Sequence, residues 1–329
     1  MTRKVCLDIA KGLGIGLVVL GHLIDYFGAE ISGVYSFIYL FHVPLFFFLS
    51  GMFFKREDSF RFFLKKKFIR LYVPYLLANI FFFAVEIIRI GFLGDSYDGC
   101  LSWKDLIEAM IGLWPVLSML SRPTWFLLIL FRVSVIYCLV HMAFKGNKNL
   151  MIVVCLLVGI LAAVSPIDDY MIGQTLTALP FFSIGHFCTP EFVDNRRLFS
   201  TSSCIALSVL SVLSLIILSR YQATNVAVNC YGNVLWFFTG AFVGIMLTLC
   251  VSKLLENSVI ARSISFVGRY TLSILVWHVF LIKALFTIHE KIVGLPGGVM
   301  LFVIAFFTGV YIPVCMSLGY NKLKLYKKS

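Results

Sequence analysis

Charge is scarce in this 329-residue chain: Asp, Glu, Lys and Arg make up 13% of it, against 60% hydrophobic residues and a mean hydropathy of +0.95. A soluble globular domain carries about a quarter charged and roughly 45–50% apolar residues, so that class is excluded. Acidic residues are rarer still, 16 against 28 basic. The resulting net charge of +12 would suit nucleic acid only on a solvated basic surface, but these basic residues stand between long apolar runs, and no nucleic-acid partner is expected. The nine cysteines include no C-x-x-C pair and no matching histidine spacing, which leaves neither a zinc site nor a disulfide framework; no metal is expected. Most cysteines sit inside apolar runs as small hydrophobic residues, while Cys100 and Cys230, in segments placed outside, are a candidate pair. Low-complexity sequence is lacking apart from the Phe-rich runs Phe46–Phe48 and Phe81–Phe83.

What the chain has is long hydrophobic runs. Cut into lengths of about 20 residues, the reach of a helix across the hydrocarbon core, they make about ten spans: 9–27, 34–54, 69–88, 124–144, 150–166, 171–188, 202–219, 232–252, 270–288 and 298–320. Each is apolar enough for a helix rather than a barrel strand, so the expected fold is an all-α polytopic membrane helix bundle, residues 1–329 forming a single domain. Ten spans put both termini on one side. If that side is the cytoplasm, 20 of the 28 basic residues lie inside, from Arg3 and Lys4 through the run Lys55–Arg70 to Lys328, and five lie outside (Arg89, Lys104, Arg122, Arg220 and Lys291). That split follows the positive-inside rule, so span count and orientation support each other. The expected location is the plasma (inner) membrane, multi-pass. The N-terminus begins like a signal peptide, but its apolar run carries Asp8, Lys11 and His22 and is read as a retained first helix. In the outer segment 89–123, Ser102 as a cap before Trp103–Leu117 predicts an amphipathic helix along the outer surface.

Ionisable groups at membrane depth cost a few kcal/mol on insertion scales and are functional candidates. They are Asp8, Lys11 and His22 in the first span, His42 in the second, Glu86 in the third, Arg132 in the fourth, and His278 and Lys283 in the ninth. Lys11 and His22, eleven residues apart, return to within roughly 20° of one helix face and stand about 16 Å apart along it. One face thus presents a cation near the cytoplasmic end and an imidazole deep in the membrane. The structural alternative is a lysine snorkelling to the headgroups and a hydrogen-bonded core histidine. His22 and His42 are equidistant from the turn around residue 32, so an antiparallel hairpin brings both to similar depth. Pro44, following His42, frees the carbonyl of Leu40 and bends the helix there; His42 either lines a cavity at the bend or satisfies it. His278 is a third mid-membrane imidazole. Lys65, Lys66 and Lys67 lead into Arg70 as the densest cation cluster, suited to anionic lipid or to a polyphosphate ligand. Arg132 and Glu86 are a candidate interhelical ion pair. His141, His186 and His289 lie near span ends and receive no role. A search for inverted repeats finds only the echo of Lys11…His22 in Arg269…His278, too short to count as a repeat.

The stretch Leu7-Asp8-Ile9-Ala10-Lys11-Gly12, running on to Val18-Val19-Leu20-Gly21-His22, resembles the opening of the acyltransferase-3 family of integral membrane acyltransferases, particularly its fucose 4-O-acetylase-like, sugar O-acetyltransferase branch. In that family a basic residue, ten intervening residues and a histidine mark the first helix; the wider family mostly has Arg where this chain has Lys11. Further matches are Phe41-His42-Val43-Pro44 through Gly51, Lys67-Phe68-Ile69-Arg70 through Pro74, Pro123-Thr124-Trp125, Pro180 through Gly185, and Gly268-Arg269-Tyr270 through His278. The resemblance covers nearly the whole chain. It implies an O-acyltransferase that takes an acetyl group from cytoplasmic acetyl-CoA (acyl-CoA) and passes it to a sugar or polysaccharide hydroxyl on the outer side. On that reading Lys11, Arg70 and Lys65–Lys67 hold the phosphates of coenzyme A. His22 takes the proton of the acceptor hydroxyl, with an acetyl-histidine as the competing route. His42 or His278 donates to the oxyanion or fixes the tautomer of His22, and Asp8 orients Lys11. A transporter or flippase for a glycan or small molecule, its histidines carrying protons, would account for the intramembrane ionisable groups equally well, though not for the cation-to-histidine spacing. A non-enzymatic membrane subunit is a third reading.

Overall fold

A computed structural model describes residues 4–27, 32–93, 103–112, 123–165, 167, 171–221, 224–293 and 298–326. The described residues form helices joined by short turns, with a single isolated bridge at Asn225 and Cys230 and no strand. In hydrocarbon every backbone N–H and C=O needs an internal partner, and a helix supplies them within one segment.

The chain divides into two compact units. The first comprises residues 1–49, 188–225 and 231–329. It holds α1 (Val5–Phe27), α2 (Ser32–Tyr39), most of α3 (His42–Met52), α10 (Thr201–Tyr221), α11 (Val234–Leu255), α12 (Ala261–Val267), α13 (Thr271–Val293) and α14 (Val299–Tyr326). Helix α1 is its axis and packs on α2, α11, α12, α13 and α14. Ile15, Val19 and Leu23 of α1 close a core with Ile274 and Ile282 of α13 and Ala305 of α14.

The second unit comprises residues 50–187 and 226–230. It holds α4 (Phe60–Lys67), a π turn at Phe68–Tyr72, α5 (Val73–Leu93), α6 (Trp103–Ile111), α7 (Trp125–Ala143), α8 (Lys148–Val164) and α9 (Ile172–Cys188). Among the described residues, eight helical stretches are long and apolar enough to cross a bilayer. The other two expected spans correspond to α8 and α9, helices of 17 residues each.

Three local departures from the expected spans have clear causes. The second span is two helices broken at Leu40–Phe41, with Pro44 in the first turn of α3. A proline there is tolerated because first-turn N–H groups have no intrahelical acceptor anyway, so the ring starts a new helix instead of kinking one. The third helical stretch starts at Phe60 rather than 69, which places Lys65–Lys67 on helix α4 instead of in a loop, and Arg70 in the π turn that follows. Helix α6 stops at Ile111 because Gly112 takes φ +85°, the left-handed turn that ends helices. Its side chains split as its amphipathic pattern requires: Leu106 and Ala109 are buried, Trp103 and Ile107 exposed. The candidate partner Cys100 lies outside the described residues.

Candidate active site

Helix α1 runs unbroken from Val5 to Phe27 and so keeps Lys11 and His22 on one face. Near its start Lys11 Nζ stands 3.6 Å from Asp8 Oδ1, one turn back, and this pairing offsets part of the cost of two charges in an apolar segment. Both stay near water, with side chains 27% and 12% exposed.

Two glycines bring a second element against this turn. A Cβ on Gly12 would stand 2.2 Å from the carbonyl oxygen of Ile264 in α12, and one on Gly268 would stand 1.9 Å from the carbonyl oxygen of Asp8. Backbone therefore lies on backbone, and no other residue fits at either place. Arg269, next after Gly268, is exposed at the start of the turn into α13.

Farther along α1, the ring of His22 meets that of His278 on α13, centroids 5.2 Å apart and planes inclined at 47°. His278 is fully buried. Its Nδ1 lies 2.7 Å from the carbonyl oxygen of Ile274. A carbonyl only accepts, so Nδ1 carries the proton and Nε2 is left as a bare lone pair. That Nε2 is buried and has no hydrogen-bond partner. In this tautomer His278 is an acceptor, suited to holding an N–H of a neighbour and not to donating to an oxyanion.

His42 follows the same logic one helix away. Its Nδ1 donates to the carbonyl of Ile38 at 2.9 Å, next to the helix break. The imidazole thus does the work of a backbone donor where α2 ends. Its ring packs edge-on against Tyr39, centroids 4.7 Å apart. The Tyr39 ring in turn reaches to 3.0 Å from where a Gly21 Cβ would be, so the missing side chain before His22 is what admits it.

The basic run read as a phosphate mouth belongs to the second unit, whereas Lys11 belongs to the first. Its members have different surroundings. Lys66 pairs with Glu57, Lys67 lies over the ring of Phe63 at 5.5 Å, Lys65 lines a groove with Arg132, and Arg70 is exposed. Arg132, read as a partner for Glu86, donates to the carbonyl of Ile111 at 2.8 Å.

Two features escaped the sequence reading. Arg269 stands in the turn that leads into α13, nine residues before His278, as Lys11 stands eleven residues before His22 on α1. The short echo of Lys11…His22 in Arg269…His278 was the signal, and it reflects adjacency in space rather than an internal repeat. The second is a cluster in the second unit: Tyr137 Oη hydrogen-bonds His186 Nδ1 at 2.7 Å, and His141 lies 5.9 Å from His186. Nothing in those isolated residues announces it. Among the described residues no group of three or more His, Cys, Asp or Glu is placed to hold a metal ion.

The fold and this site define a polytopic membrane protein in which a half-buried imidazole on a cation-bearing helix face packs on a fully buried one. The acyltransferase-3 family model, an acyltransferase domain, matches residues 4–318, and the chain belongs to that family of membrane acyltransferases. Among curated proteins and among solved structures, none matches the chain.

Proposed function

We propose that the protein transfers an acetyl group from cytoplasmic acetyl-CoA to a sugar hydroxyl presented from the outer side of the plasma membrane, as in the sugar O-acetyltransferase branch of the family. The observation that carries this reading is the His22–His278 ring pair, with Lys11 ahead of His22 on α1 and Arg269 in the turn ahead of the helix that carries His278. Coenzyme A has phosphates at one end of a long thin arm and the thioester at the other. Lys11 and Arg269 bind the phosphates, and the arm lays the thioester near His22. His22 takes the proton as the acceptor oxygen attacks the thioester carbonyl. The tetrahedral intermediate collapses, expels the thiolate and leaves the acyl group on oxygen; the proton on His22 passes to the departing sulfur. General-base help of this kind is worth about 10²–10⁴-fold. His278 packs against the His22 ring and orients it. Lys67 and Arg70 add positive potential that draws the polyanionic donor to the cytoplasmic face.

The test is to incubate the purified protein with radiolabelled acetyl-CoA and a panel of glycan acceptors, comparing wild type with His22→Ala. Transfer that the substitution abolishes is the expected result. Acylation that survives it would refute the assignment of the base, and movement of an unmodified glycan without dependence on coenzyme A would replace the enzyme reading with a carrier.

A further inference from the structure

Away from the imidazole pair, the second unit has an open groove of about 610 Å³, within the roughly 300–1,000 Å³ range of small-ligand sites. Its walls are apolar and aromatic: Phe68 and Tyr72 from the π turn, Phe131 and Leu128 from α7, Ile111 from the end of α6. Its charged members are Lys65 and Arg132, and among the described residues no carboxylate lines it.

The floor explains why the groove holds its shape. A helix end leaves its last carbonyls unpaired, which in hydrocarbon is costly. The last three carbonyls of α6 are each received by a side chain: Ala109 by the Tyr75 hydroxyl, Met110 by the Tyr72 hydroxyl at 3.1 Å, and Ile111 by the Arg132 guanidinium. The helix end contributes about half a unit of negative charge, against two full positive charges in the walls. The groove is net positive and lies on a membrane-spanning stretch whose outward side chains, such as Ile69, are exposed and apolar.

We propose that this groove is a binding site for an anionic phospholipid, with the phosphate beside Lys65 and a fatty chain along Phe68, Phe131 and Leu128. Charge selects the anion, and the apolar walls select one that carries a tail. Neither the transfer reaction nor His22 enters this assignment.

The full-length protein, reconstituted in nanodiscs of equimolar phosphatidylglycerol and phosphatidylcholine and released for native mass spectrometry, should retain phosphatidylglycerol in preference. Lys65→Gln should cut that preference about fivefold, which is what ~1 kcal/mol per basic residue at an anionic leaflet amounts to. Ile111→Trp, at a side chain already 42% exposed, fills the groove and should remove both retained lipids while the protein stays folded by circular dichroism. Lys322→Gln, an exposed lysine in the first unit, should match wild type. Equal retention of the two lipids, or a preference untouched by both groove substitutions, would overturn the site. Displacement of phosphatidylglycerol by millimolar inorganic phosphate would overturn the lipid as occupant in favour of a free anion.

Discussion

The two histidine clusters are alike in residue type but differ in what surrounds them. In the second unit His141 and His186 stand in the last turns of α7 and α9, boxed by rings: Phe54 lies 5.9 Å from the first and 4.9 Å from the second, and Tyr137 hydrogen-bonds His186. In the first unit His22 and His278 lie on long helices, with Lys11 eleven residues before the one and Arg269, in the turn into α13, nine residues before the other. An orphan nitrogen alone does not separate the two, since His141 Nδ1 is also buried without a hydrogen-bond partner. The setting does. The phenol of Tyr137 and the ring of Phe54 make a packed corner, whereas Lys11 and Arg269 precede the other pair and are the cations that the proposed function assigns to the donor.

Substitutions sharpen or break that contrast. His22→Ala should lower the rate of acetyl transfer by about 10²–10⁴-fold, the scale of a lost general base, while leaving the thermal midpoint in detergent close to wild type. Gly268→Ala comes next. Its new methyl group meets the Asp8 carbonyl oxygen at 1.9 Å, so α1 and α12 must part, at a cost of about 1–3 kcal/mol in stability with activity falling alongside, measured by thermal unfolding and by transfer assay on the same preparation. Lys11→Ala and Arg269→Ala should each raise KM for acetyl-CoA about tenfold, with kcat within about twofold, as the loss of one charge-assisted phosphate contact requires. A fall in kcat at unchanged KM would place those cations elsewhere than on the donor. His186→Ala should be the mildest for catalysis, within about twofold in rate, and should cost about 1 kcal/mol in stability through the lost Tyr137 hydrogen bond. If His186→Ala instead abolished transfer, the division between a working pair and a packed corner would fall.

Particular residues show how far the sequence could be read. The eleven-residue interval between Lys11 and His22 survives in the structure because α1 is one straight helix, and nothing beyond helical pitch was needed to put them on one face. Pro44 marked a disruption near His42 but not its form, because whether a proline kinks a helix or starts a new one depends on where the helix breaks; here it breaks at Leu40–Phe41, and the Ile38 carbonyl accepts from both the Phe41 N–H and the His42 ring. The basic run at Lys65–Arg70 read as one patch, yet side-chain geometry gives Lys65, Lys66 and Lys67 three different neighbours. Arg269 was visible only as an echo, since its importance lies in Gly268 touching the backbone of Asp8.

Composition, hydrophobic run length and the sidedness of basic residues determined an all-α polytopic membrane protein, because the bilayer imposes those constraints on each segment separately. The motif around Lys11 and His22 placed it in its family. The partner of His22 was decided by tertiary structure alone: His278 reaches it through packing of segments far apart in the chain, set by two glycines whose missing Cβ atoms let backbones meet. The same holds for the capped end of α6 and the groove beside it. Periodicity is a local property of a helix, and which helix faces which is a property of the whole packed set.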